Sequence, residues 1–170
     1  MNSKERRKHI LELLNYSESP LKGNDIAEKL GVTRQIIVKD IAILRAAGNA
    51  IIATPEGYMS PKEEKNVVTR VVAIFHTVEN IEEELKIIVS YGGIVKDVIV
   101  EHSLYGEIRC MLMIKTLYDV KNFIVKFKEY KAEPLSALTG GVHLHTIVTE
   151  NEDIMKKIIH QLKLKGFLIN

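Results

Sequence analysis

Two spacings organise the hydrophobic positions of this chain, one helical at its start and one mixed beyond residue 66. Ile10, Leu11, Leu13 and Leu14 form a stripe behind the basic positions Lys4, Arg6, Arg7 and Lys8, so a helix is predicted from Ser3 to the loop at Ser17–Pro20. Ile26, Ala27 and Leu30 mark a second, short helix, with Gly31 just past its end, where a left-handed backbone needs no side chain. Thr33 is placed to cap a third helix running to about Ala47, with Ile37, Ile41 and Leu44 turned inward and Gly48 closing it. Short apolar runs on either side of Pro55-Glu56-Gly57 then predict a hairpin over 50–60.

The polar stretch 61–66 carries no strand or helix pattern and is the expected boundary between a domain at 1–61 and one at 66–170. Beyond it the spacing alternates between strand and helix. Strands are predicted at 67–75, 94–102, 106–115 and 143–149, and helices at 79–91, 119–130 and 152–165. Gly92-Gly93 stops the first of these helices, and Val120, Phe123, Ile124 and Phe127 line the second. The order βαββαβα is most economically one sheet with helices on one face, an open-faced sandwich, so the whole chain is read as α+β.

Helix, glycine-containing turn and second helix is the spacing of a helix-turn-helix, and a hairpin directly after the second of the pair is a wing. The exposed side of the third helix begins Thr33, Arg34, Gln35 and continues through Val38 and Lys39. Arg pairs in bidentate fashion with guanine and Gln with adenine, which makes Thr33, Arg34, Gln35, Lys39 and Arg45 the candidate DNA contacts. Charge agrees in sign: residues 1–50 hold nine Lys/Arg against six Asp/Glu, whereas the remainder is slightly acidic. Glu56 at the wing tip argues against close phosphate contact there. No apolar run is long enough to span a bilayer and the N-terminus lacks a signal-peptide core, so a cytoplasmic protein without a membrane partner is expected.

Candidate chemistry concentrates in the C-terminal part. In the strand over 143–149 the period of two sets His143 and His145 on one face with Ile147. Two neutral imidazoles on one pleat offer two nitrogen lone pairs to the same ion. Cys110 is the only cysteine, so no internal disulfide and no thiolate cluster can form, and any metal must be held by nitrogen and oxygen. On the helix over 79–91, Glu84 shares the apolar stripe of Ile81, Leu85, Ile88 and Val89, and a carboxylate leaning into that face needs a partner. His76 precedes it by one connection. His76, Glu84, His143 and His145 together suit one Zn²⁺, Ni²⁺ or Fe²⁺ per chain, with a position left for water or a small anionic or heteroaromatic ligand. His102, with Tyr105 beyond it, either lines that pocket or is a satisfied structural histidine; His9 and His160 read as surface or packing residues.

These segments resemble a known family. Residues 32–47 are similar to the helix-turn-helix of the niacin-responsive transcriptional repressors of NAD biosynthesis, and 54–58 to their wing. His76, Glu101-His102, Tyr105-Gly106-Glu107 and residues 138–147 resemble the motifs of the domain named 3H for its three histidine motifs. Ser103 departs from the pattern, at a position where proline is expected, and leaves the turn before Tyr105 less rigid. The resemblance implies a homodimeric repressor on a palindromic operator, with nicotinic acid as co-repressor and a phosphocarrier-like 3H sandwich. It places the family's metal ligands on His76, Glu84, His143 and His145. The alternative is a metal-dependent small-molecule enzyme fused to a DNA-binding winged helix, since three histidines, a carboxylate and an open position also suit activation of water. Against it stand the lack of a phosphate-binding glycine loop and of a nucleophile motif.

Overall fold

The computed structural model describes residues 1–62 and 66–169. The chain divides into two compact units, Met1–Glu63 and Glu64–Asn170. Of the polar stretch predicted as the boundary, Glu63, Glu64 and Lys65 lie outside the described residues. No helix among the described residues is long and apolar enough to cross a membrane.

In the first unit α1 (Ser3–Tyr16), α2 (Gly23–Leu30) and α3 (Arg34–Ala46) enclose a core of Ile10, Leu14, Ile26, Ala27, Ile37, Ile41, Leu44 and Ile51. Asn2 caps α1, accepting from the main chain of Lys4 and Glu5, while Glu5 returns to the Asn2 N–H in a reciprocal box. Gly31 ends α2 at φ 65°, the left-handed conformation its position calls for. Thr33 occupies the cap of α3 through its main chain only: its carbonyl accepts from Ile36 and Ile37, and its hydroxyl makes no capping bond. β1 (Ile52–Thr54) and β2 (Gly57–Met59) form the hairpin, and Leu21 pairs with Tyr58 through two main-chain bonds of 2.8 and 2.9 Å.

The basic first turn of α1 is partly taken up within the unit. Arg6 Nε lies 2.6 Å from Asp40 Oδ2 and Arg7 Nη1 3.3 Å from Oδ1, and Asp40 is 2% exposed. Two of the cations that give the N-terminal part its excess therefore neutralise a buried carboxylate of α3, which would otherwise be costly to bury.

The second unit is a four-stranded antiparallel sheet of β3 (Val68–Phe75), β4 (Ile94–His102), β5 (Gly106–Ile114) and β6 (Val142–Thr149) in the order β3-β6-β4-β5. The last strand of the sequence thus runs through the middle of the sheet. Helices α4 (Ile81–Ser90), α5 (Leu117–Glu129) and α6 (Glu152–Leu164) close one core with it, where Val72, Ile74, Val95 and Ile147 of the sheet meet Leu85, Ile88, Val120, Met155, Ile158 and Leu162. Elsewhere on the strands Val71 and Phe75 stay about half exposed, so the sandwich is open. A short 3-10 turn, Val78–Asn80, precedes α4 where a continuous helix is expected, and another, Leu135–Thr139, lies between the predicted helix and strand, where the spacing assigns no element. α5 starts two residues earlier than predicted because Thr116 and Asp119 form a capping box. The register shifts between Val95 and Asp97 against both neighbours, and the backbone of Met113 opposite takes φ 52°. This is a β-bulge in the strand beside β6.

Candidate metal centre and DNA-reading face

Three pieces of local structure deliver the four ligand candidates. His76 follows the end of β3; His143 and His145 alternate along β6, opposite Ile74 and Val72 of β3; Glu84 comes down from α4. Central placement of β6 buries its pleat, so His143 and His145 are each 3% exposed, His76 6% and Glu84 1%. The inward lean of Glu84 is therefore complete.

All three imidazoles present Nε2 to this one carboxylate: His76 at 2.6 Å from Oε2, His143 at 3.5 Å from Oε2 and His145 at 3.1 Å from Oε1. Their other nitrogens are engaged by main-chain carbonyls, His76 Nδ1 with Thr77 at 2.8 Å, His143 Nδ1 with Gly141 at 2.9 Å and His145 Nδ1 with Asp97 at 2.5 Å. A carbonyl only accepts, so every Nδ1 is the N–H donor, and in a neutral ring every Nε2 carries a lone pair facing the carboxylate. Lone pairs and a carboxylate repel unless protons or a cation lie between them. Gly141 supports this arrangement at φ 103°, where a Cβ would stand 2.8 Å from the His76 carbonyl.

The donor set fits a divalent transition metal. Ligand atoms of His76, Glu84 and His143 lie within 4.8 Å of one another, and His145 faces the other oxygen of the same carboxylate. Glu84 Oε1 is buried without a hydrogen-bond partner, because the His145 ring, though close, stands out of line for one. Carbonyl partners on the far side of each histidine fix ring and tautomer as is usual for metal-ligating imidazoles. Protonation follows from the same geometry. Burial opposes charge on Glu84, yet the neighbouring rings of His145, His143 and His76 outweigh it and hold the carboxyl well below its usual range. Burial likewise lowers His76 and His145, but Glu84 beside them prevails and raises both above the ordinary imidazole value.

A cavity of about 180 Å³ opens beside this cluster. Its walls are Ile81, Leu85, Val98, Leu112, Phe123, Phe127, Pro134 and Leu135, with Ser136, Cys110 and Glu133 as further polar groups. Among the described residues no Lys or Arg lines it. The structure does not bring His102 and Tyr105 to this cavity. They belong to the β4–β5 turn, where His102 Nδ1 accepts from the main-chain N–H groups of Leu104 and Tyr105 and Tyr105 is 74% exposed. Sequence reading missed Asp97, Thr77 and Gly141 as supports of the imidazoles and the turn at Leu135–Thr139 as a wall. The Gly-Gly pair before His143 was the one available signal, since adjacent glycines ahead of a strand mark an unusual backbone.

In the first unit Thr33, Arg34, Gln35, Lys39 and Arg45 are all exposed on α3, while Ile37, Asp40, Ile41 and Leu44 are buried on its other side. Gly23 leaves room beside this face: a Cβ there would stand 3.4 Å from the Tyr58 ring and 3.6 Å from Arg34 Nε. Arg34 thus lies where α2 begins and the wing passes.

Fold and site together define a transcription regulator, with a winged helix-turn-helix in one unit and a histidine-carboxylate cluster in the other. Residues 6–59 match the model of an HTH domain and residues 69–170 that of the 3H domain. The chain is 47% identical over 165 residues to "Probable transcription repressor NiaR" of Thermotoga maritima, covering 97% of this chain and 94% of that one. It is 40% identical over 167 residues to "Transcription repressor NadR" of Bacillus subtilis, covering 96% and 93%. The chain belongs to the NiaR/NadR family of transcription repressors. Both of these relatives are named as transcription repressors, which sets the metal-dependent enzyme reading aside.

Proposed function

We propose that this protein represses genes of NAD biosynthesis and niacin uptake, with nicotinic acid as co-repressor sensed at a metal held by His76, Glu84, His143 and His145. Residues 1–61 form the DNA-binding domain and 66–170 the regulatory domain of a cytoplasmic homodimer on a palindromic operator. One observation carries the reading: a buried carboxylate ringed by three imidazole Nε2 atoms opens into an apolar cavity that no Lys or Arg lines among the described residues. An aromatic monocarboxylate matches those walls only if its charge is met elsewhere.

When bound, Ni²⁺, Zn²⁺ or Fe²⁺ supplies that positive charge and an open coordination position. The chain's own part is to hold three lone pairs convergent through the Thr77, Gly141 and Asp97 carbonyls, to neutralise part of the charge with Glu84, and to exclude water with Phe123, Phe127 and Leu135. At the operator, Arg34 and Gln35 are the base-reading groups, and Thr33, Lys39 and Arg45 complete the surface. Ligand binding changes operator affinity to the extent that nicotinate prefers the DNA-competent state.

Calorimetry with nicotinate on metal-loaded and chelator-stripped protein tests this, followed by an operator shift assay. Saturable binding should disappear on stripping, return with Ni²⁺ or Zn²⁺, and be lost in the His143→Ala, His145→Ala double variant. Undiminished nicotinate binding in stripped protein would reject the metal-linked pocket.

A further inference from the structure

Asp97 faces two ways. It is 0% exposed, and it sits on β4 just past the register break, opposite Thr146 of β6. Its main-chain carbonyl accepts the Nδ1–H of His145 at 2.5 Å. Its side chain works on the next residue of β6: Oδ1 accepts the Thr146 main-chain N–H at 2.9 Å, and Oδ2 accepts the Thr146 hydroxyl at 3.0 Å and the Arg109 guanidinium at 2.8 Å.

In a regular antiparallel pair, alternate opposed residues exchange main-chain bonds, and an N–H directed at the neighbouring strand meets a carbonyl there. Here the bulge interrupts that exchange. A carboxylate oxygen takes the Thr146 N–H in place of a carbonyl, and the Asp97 carbonyl is left for an imidazole. Were the carboxylate removed, Thr146 would keep a buried N–H without its acceptor, and the cheapest repair is to close the ladder with the carbonyl that now holds His145.

His76 and His143 draw their carbonyl partners from residues one and two positions away, whereas the partner of His145 comes from 48 residues away. The orientation of His145 alone therefore depends on how two strands pair. We infer that Asp97 is a positioning residue of the metal centre: its carboxylate holds the bulge open so that its carbonyl fixes the His145 ring with Nε2 toward the ion. Arg109, itself partly exposed, clamps that carboxylate from the neighbouring strand. This inference rests on the metal-centre reading above.

Full-length wild type, Asp97→Ala and Asp97→Asn are titrated with Zn²⁺ and Ni²⁺ against a competing chelator, and imidazole ¹⁵N–¹H correlation spectra are recorded at zinc saturation. Asp97→Ala should bind about 10- to 100-fold more weakly, the usual loss when an outer partner of a metal-ligating histidine is removed. Asp97→Asn keeps an oxygen for the Thr146 N–H but sets an NH2 against Arg109, and should lose less affinity than Asp97→Ala. In the spectra the His145 Nδ1–H should be a single, exchange-protected signal in wild type and Asp97→Asn and broadened or absent in Asp97→Ala. Wild-type affinity with an unchanged His145 signal in Asp97→Ala would overturn the inference while leaving the metal centre intact. Lack of a protected His145 Nδ1–H in wild type would overturn it too, whether or not Asp97→Ala folds. Wild type that takes up neither ion would overturn the metal-centre reading, and the inference with it.

Discussion

Removing the ion from the histidine-carboxylate cluster should reverse the sign of the pH dependence of this unit's stability. In metal-free protein the Glu84 carboxyl is held well below its ordinary value of 4.5, so its contribution is present above that value and is lost as pH falls through the folded one. His76 and His145 are raised above 6.5, so their contribution is full below that value and is lost as pH rises through their folded values. Stability of the stripped protein is therefore greatest in mildly acidic solution and falls toward alkaline pH. Each imidazole adds a slope of at most about 1.4 kcal/mol per pH unit, so the two together give at most about 2.7. With the ion bound the sign inverts, because protons compete with it for the same Nε2 atoms and metal binding strengthens as they leave. Urea denaturation followed through main-chain NMR signals of β6 measures this unit alone, with stripped and Ni²⁺-loaded samples compared from about pH 5.5 to about pH 8.5. Stripped protein whose stability is flat or rising across that interval would refute the reasoning. So would a stripped Glu84→Gln variant that keeps the wild-type slope, since the shift in both imidazoles is traced to that carboxylate.

Two further outcomes follow from the geometry. Arg34→Ala or Gln35→Ala should weaken operator binding by about 1–3 kcal/mol for each side chain–base pairing removed and leave metal content unchanged, and unaltered operator affinity in both variants by titrated shift assay would reject this face of α3. Gly141→Ala forces a Cβ to within 2.8 Å of the His76 carbonyl at φ 103°; it should destabilise the unit by at least about 1 kcal/mol and lower Ni²⁺ affinity, since His76 and His143 both adjoin that position, and a variant with wild-type melting and metal titration would contradict the strain argument.

The placement of the histidine-carboxylate cluster on a sheet strand and not on a loop has a physical consequence. His143 and His145 reside on the central strand of four, with hydrogen-bonded neighbours on both sides. Placement on paired strands keeps the Nε2 atoms convergent without an ion, so little ordering remains to be done when one binds. Burial has a cost, visible in the unpartnered Glu84 Oε1, and the same atom marks where the cluster is incomplete.

What the sequence determined by itself was local. Spacings of 3.6 and 2 are properties of the chain's own geometry, so the three helices of the first unit, the βαββαβα order of the second, the shared face of His143 and His145 and the inward lean of Glu84 were all legible from residue patterns. Helix ends were read less well, as at Thr116, where a capping box begins α5 three residues ahead of its first buried position, Val120. Everything that joined distant segments was decided by tertiary structure. No residue pattern places the last strand between β3 and β4, yet that order is what buries the imidazoles. Nothing near Arg6 shows that Asp40, 34 positions on, takes up its charge. The bulge that turns the Asp97 carbonyl toward His145, and the turn that keeps His102 and Tyr105 out of the cavity walls, likewise depend on which strands pair and in what register. Pairing is a choice among many registers of similar local energy, settled by the packing of the whole unit, and a chain read residue by residue carries only the local half of that information.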